Sequence, residues 1–190
     1  MEKNRLIIIE GPQGTGKTTL ANYLRENIAS SDLLRLSGQK DKTEKGKQLS
    51  ERRFFALLDY LYQMESIPVD IIFDRTFFTE EIYARLGYKE YTFTDVFNKL
   101  MRELLELEFD IYYFTLYLKK TELYRERLAR DSHHNYQAFS IENSANQQHE
   151  YLKLAEELKY FESENFHIIP LAMDNFTESY EEVNKLLKIK

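Results

Sequence analysis

Along the chain, short apolar runs alternate with longer stretches in which apolar residues recur every three or four positions. The short runs are residues 6–10 (LIIIE), 33–36, 68–75 (PVDIIFDR), 111–118 (IYYFTLYL) and 167–171. Their β-branched and aromatic content and their length predict strands, with 111–118 a central one. Helical periodicity marks residues 17–29, 49–64, 76–86, 94–107, 121–130, 141–161 and 180–187. In the second of these, Phe54, Leu57, Leu58 and Leu61 share one face. In the fourth, Thr94 or Thr92 is placed to cap the helix. The polar stretches 37–47 (SGQKDKTEKGK) and 131–140 read as loops. The order βαβαβααβααβα has only helical crossovers. It predicts an α/β fold, a three-layer αβα sandwich around a five-stranded parallel sheet. Ligands of such sheets sit at the carboxyl ends of the strands.

Composition narrows this picture. A chain of 190 residues that is 43% hydrophobic, with only 6 Gly and 3 Pro, suits one domain spanning 1–190. The absence of cysteine excludes disulfides and thiolate metal sites. The chain carries neither a secretory apolar region at its start nor an apolar stretch of about 18 residues, so a soluble, cytoplasmic protein without a membrane partner is expected. A formal charge of −6, from 26 basic and 32 acidic residues, argues against a nucleic-acid partner held on a broad basic face. It leaves room for a small anion in a local basic pocket. The aromatic residues, 13 Phe and 14 Tyr, are mostly core and half-buried surface.

One segment carries specific chemistry. Gly11-Pro12-Gln13-Gly14-Thr15-Gly16-Lys17-Thr18, followed by Thr19, fits G-x-x-x-x-G-K-[ST] between a strand and a helix. The glycines let backbone N–H groups converge on an anion at the helix N-terminus, and Lys17 adds a point charge for the terminal phosphates. The Thr18 hydroxyl would be a ligand of Mg²⁺ carried in with a nucleoside triphosphate. Asp74-Arg75 ends the third strand, at the same sheet edge. There a carboxylate could orient Mg²⁺ through water or accept a proton, and the arginine could bridge donor and acceptor phosphates; a plain surface ion pair is the alternative. Arg125, Arg127 and Arg130 end a helix before a polar loop with His133 and His134. They suit a lid, about residues 127–142, that brings Arg127 and Arg130 to the transferring phosphoryl group and Arg125 to ATP. Glu122 with Arg125 and Glu126 with Arg130 would equally form surface pairs. The basic cluster of Lys40, Lys42, Lys45 and Lys47 with Arg52 and Arg53, beside Phe54, Phe55 and Tyr60, marks an acceptor region of about residues 37–65, with Lys40 or Lys42 for its phosphate; solvation of a loop and core packing are the alternative for most of these residues.

Taken together, these residues resemble the thymidylate kinases of the P-loop nucleoside monophosphate kinase group, whose neighbours are the deoxynucleoside kinases. The likeness runs through IEGPQGTGKTTLANYL, Asp74-Arg75, Tyr83 eight residues on with Thr79 at a Ser position, RERLARD, and HEYLKLAEEL. It implies transfer of the ATP γ-phosphate to a pyrimidine deoxynucleoside monophosphate with Mg²⁺, often in a homodimer, with Gln13 and Tyr83 on the acceptor. The sequence departs from the family at Gln13, where a carboxylate usually meets the acceptor sugar, and at LSGQKDKTEKGK, where an FPREPGG-like stretch usually follows the second strand. Asp59 or Tyr60 stands where an Arg usually touches the base, and Ala84 replaces a Gln. The expectation is a nucleoside monophosphate kinase of thymidylate-kinase type, with these departures leaving the acceptor base open, an unusual or modified one included. A deoxynucleoside kinase, which would need a catalytic carboxylate near Asp41, and a P-loop ATPase or nucleotide switch are the alternatives.

Overall fold

The computed structural model describes residues 3–130 and 140–189, with the side chain of Arg130 outside the description. The elements follow the predicted order. They are β1 (Arg5–Glu10), α1 (Lys17–Asn27), β2 (Ser31–Arg35), α2 (Glu44–Met64), β3 (Asp70–Asp74), α3 (Phe77–Arg85) and α4 (Thr94–Glu106). Then come β4 (Asp110–Tyr117), α5 (Leu123–Arg130), α6 (Ile141–Leu158), β5 (Phe166–Ala172) and α7 (Phe176–Leu187). All strand pairs are parallel, in the order β2-β3-β1-β4-β5. Ile8 lies level with Phe73 on one side and Tyr113 on the other, so β1 is the middle strand and β4 is internal beside it.

Because successive side chains point to opposite faces, each interior strand feeds two cores. Leu6, Ile8, Ile71, Phe73, Ile111 and Tyr113 face α2, α3, α4 and α6. Ile7, Ile9, Ile72, Phe114 and Leu116 meet residues of α1 and α7 and Tyr124 of α5. The first core is aromatic: Phe77 stacks on Phe78 at 4.5 Å, and Phe97 meets both edge-on.

The differences from the predicted boundaries have local causes. Helix α2 starts at Glu44, so Lys45 and Lys47 are helical rather than loop residues. Asp41 accepts hydrogen bonds from the Thr43 amide and hydroxyl (2.9 and 2.7 Å), which turns the chain into the helix. Neither Thr92 nor Thr94 caps α4. Phe93 occupies the cap position without a side-chain bond, while the Thr94 hydroxyl donates to Glu81 at 2.8 Å. Helix α6 ends at Leu158 and passes into a 3₁₀ turn, Lys159–Phe161. Helix α7 starts four residues earlier than its periodicity suggests, since the Asn175 side chain caps it through the Thr177 amide. The expected loop over residues 131–139, with His133 and His134, lies outside the described residues, as does most of the expected lid.

Candidate active site

The carboxyl end of β1 runs straight into the glycine turn, and the turn's backbone requires its glycines. Gly11 has φ +146°, and a Cβ there would lie 2.7 Å from the Leu116 carbonyl oxygen of β4. Gly16 has φ +99°, and its Cβ would press against the Phe176 ring at 2.8 Å. The Thr15 hydroxyl and the Lys17 ammonium both donate to the Pro12 carbonyl, at 2.8 and 2.6 Å. The Lys17 stem is buried, so its charge is delivered from inside the turn. Thr18 donates to Asp74 Oδ2 at 2.7 Å. β1 pairs with β3, so the two oxygens expected to face a magnesium ion do meet, and their hard-oxygen chemistry fits that ion.

Arg75 follows with φ +73°, a left-handed conformation that a non-glycine residue adopts only when its surroundings impose it. Its amide donates to the Ile9 carbonyl at 3.1 Å and its Nη2 to Gln13 Oε1 at 2.6 Å. The next residue is clamped by Glu10, whose Oε1 accepts from the Thr76 amide and hydroxyl at 2.6 and 3.0 Å. Glu10 Oε2 accepts from Thr79 Oγ1 at 2.6 Å, and Tyr151 OH lies 2.8 Å from that same hydroxyl. Glu10 is fully buried. Burial pushes its carboxyl up to about 7, against the opposing pull of the Thr79 and Thr76 hydrogen bonds and the Arg75 charge. Helix α6 closes this side: Ser144 Oγ donates to the Gln13 carbonyl at 3.2 Å.

A cleft of about 380 Å³ opens over the turn, lined by Gln13, Gly14, Gly16–Thr19, Arg75, Arg127 and Phe176. Of the expected nucleotide-contacting residues, Gly11, Pro12 and Thr15 support the turn from beneath. Arg127 lies over the Phe176 ring at 4.8 Å and donates to the Thr15 and Met173 carbonyls at 3.1 and 2.6 Å. This places it at the rim beside Gly16, on an aromatic wall. Arg125, expected to contact ATP, is exposed. Two residues correspond to about 200° of helix, so it faces away from Arg127. The side chain of Arg130 lies outside the described residues.

On the expected acceptor side, the structure separates residues that the sequence groups together. Phe54 is core, 1% exposed and edge-on to Phe77 and Phe93, and therefore does not face a ligand. Phe55 is half-buried against the same core. Tyr60 is exposed and close enough to Asp32 for that charge to help raise its hydroxyl pKa, after burial. Asp32 lies at the start of β2, at the sheet edge opposite the glycine turn. Lys40 and Lys42 are exposed on the loop after β2. Asp41 is engaged at the start of α2. Tyr83 is half-buried, its Cε2 4.0 Å from where a Gly38 Cβ would stand. Its hydroxyl pKa is raised by burial, with Arg75 opposing.

Four features escaped the sequence reading. Glu10 was visible only as a charge ending a buried strand. Phe176 and its contact with Arg127 join segments distant in sequence. The loop over residues 36–43 is tied down from behind: Lys89 Nζ pairs with buried Glu80 at 2.7 Å and donates to the Gln39 carbonyl at 2.5 Å. Glu80 also accepts from Tyr91 OH at 2.5 Å and the Gln39 amide at 3.3 Å. The fourth is Arg35, ending β2 with its Nε 3.8 Å from Asp74.

No protein-family model matches the sequence, and comparison with curated proteins finds no match. Solved structures do match. Deoxyadenosine kinase from M. mycoides, with dCMP and a flexible dCDP bound, is 18% identical with a TM-score of 0.66, over 97% of this chain and 100% of that one. Thymidylate kinase from Candida albicans is 16% identical with a TM-score of 0.64, over 98% and 93%. YorR protein from Bacillus subtilis, in complex with phosphorylated GDP, is 15% identical with a TM-score of 0.66, over 96% and 95%. The chain has the α/β fold of these kinases along nearly its whole length. Among the described residues no helix is long and apolar enough to cross a membrane.

Proposed function

We propose that this chain is an ATP-dependent nucleoside monophosphate kinase of thymidylate-kinase type, acting on a (deoxy)nucleoside monophosphate. The observation that carries the reading is the convergence of Lys17, Thr18 and Arg75 on one cleft at the carboxyl edge of the sheet, with Asp74 bonded to Thr18 behind it. The fold likeness to nucleoside and nucleotide kinases supports it. In this reading Lys17 and the turn amides hold the donor's β- and γ-phosphates. Thr18 and Asp74 would hold Mg²⁺, which would supply charge neutralisation on those phosphates. Arg75, steered by Gln13, lies between donor and acceptor. The Phe176–Arg127 wall takes the donor base by stacking, so Arg127 serves the base rather than the moving phosphoryl group. An oxygen of the acceptor phosphate bonds to the γ-phosphorus as the bridge to the β-phosphate breaks, releasing ADP. That oxygen is already anionic and needs no base. This suits a site where Asp41 is spent on a helix start and Asp74 faces Thr18.

The test is ADP release by the purified chain with Mg·ATP against nucleosides and their monophosphates. Turnover is expected with monophosphates. Turnover with nucleosides alone would make the chain a deoxynucleoside kinase, and acceptor-independent ADP release an ATPase or switch.

A further inference from the structure

Among the described residues Arg53, a half-buried cation on α2, makes no ion pair. Its guanidinium lies over the Phe54 ring, 4.6 Å from the centroid, and Nη1 donates to the Ser37 carbonyl at 2.9 Å. Nε and Nη2 are buried without a hydrogen-bond partner among the described residues. Other inward-facing arginines among the described residues have acidic partners: Arg5 pairs with Asp70, Arg85 pairs with Glu81, and Arg75 donates to Gln13 within the field of Glu10 and Asp74. A guanidinium cannot shed its charge in a protein, and stranding its donors is costly. The position suggests what would balance it. Ser37 follows β2, where the Leu36 amide donates to the Asp74 carbonyl at 3.2 Å. Phe54, beneath the guanidinium, packs on Phe77, two residues after Arg75. Arg53 thus belongs to the sheet edge that carries Asp74 and Arg75. Nε and Nη2 form the side of the fork that clasps two oxygens of one phosphate.

We propose that Arg53 holds the phosphate of the acceptor, which makes the acceptor a phosphate monoester rather than a free nucleoside. The assignment rests on the kinase reading above and names the group that selects its substrate class. Helix α2 supplies this charge from below, while Lys40 and Lys42 stay exposed on the loop.

The experiment compares wild type, Arg53→Met and Arg53→Lys in coupled ADP release with nucleoside monophosphates, alongside melting temperatures with and without Mg·ATP. Arg53→Met should raise the monophosphate KM by about 10–100-fold, the value of a charge-assisted bidentate contact. The shift in melting temperature on adding Mg·ATP should be unchanged. Without ligand this variant should melt no lower than wild type, because methionine keeps the contact with Phe54 and removes an unbalanced charge. Arg53→Lys, one point charge in place of a fork, should fall between. It also provides the kinetic comparison if Arg53→Met does not fold. A wild-type monophosphate KM in both variants would overturn the assignment and leave the kinase reading standing. A lower ligand-free melting temperature with donor and acceptor impaired alike would make Arg53 a structural residue. A wild type that uses nucleosides and no monophosphate would overturn the kinase subtype itself.

Discussion

Glu10 holds two backbone turns together with one carboxylate, and its environment makes that grip depend on pH. In the folded chain its pKa stands at about 7, against 4.5 for an unperturbed carboxyl. The folded state therefore binds the proton more tightly. The stabilisation this gives is fully present below about 4.5 and lost as pH rises through about 7, amounting to about 3 kcal/mol. Measured between pH 5 and 8.5, the melting temperature of wild type should fall relative to that of Glu10→Gln by about 6–12 °C. Equal pH slopes would show that Glu10 titrates normally. Phe176 makes a different kind of claim at the same scale. Phe176→Ala removes the ring lying over Gly16 and under Arg127. It should raise the KM for ATP about 10-fold and leave the acceptor KM within twofold, as steady-state kinetics would show. The Lys17 environment was legible because its motif is local, whereas Phe176 reaches it from the start of the last helix.

The loop after β2 and the helix that follows show how a stretch that reads as a polar loop in sequence can be held in place from outside. SGQKDKTEKGK reads as a solvated tract because nothing within it is apolar. Its order comes from elsewhere: Glu80 of α3 and Lys89 beyond it pin Gln39, and the Glu90 amide donates to the Lys42 carbonyl at 2.9 Å. Removing one partner of a buried pair leaves the other charge stranded, at a cost of about 3–5 kcal/mol. Lys89→Met should therefore lower the melting temperature by about 10 °C or more and raise the acceptor KM more than the ATP KM. Adding Glu80→Gln should recover most of that stability, as a double-mutant cycle would measure. Phe54 illustrates the opposite error. An aromatic residue beside arginines reads as a ligand contact, but its helix position turns it into the core, and its neighbour Arg53 is the one that meets the loop.

At the scale of the whole molecule, the strand order decides the chemistry. Placing β3 beside β1 brings Asp74 to Thr18 across 56 residues of chain, and Arg75 to Gln13 across 62. The sequence by itself determined the element order, the parallel sheet and the glycine turn. These follow from interactions between near neighbours: apolar periodicity, backbone preferences and the absence of hairpin connections. It also marked Asp74-Arg75, because charge at the end of a buried run must emerge at the sheet edge. Only the tertiary structure decided which charges are answered and which are not. Glu10 gained its clamp, Lys89 its buried partner and Arg127 its aromatic wall from segments far away in sequence. Arg53 was left with two unpartnered donors among the described residues. The physical reason is that the cost of a buried charge depends on the groups that enclose it, and packing assembles those groups from segments whose local patterns carry no record of one another.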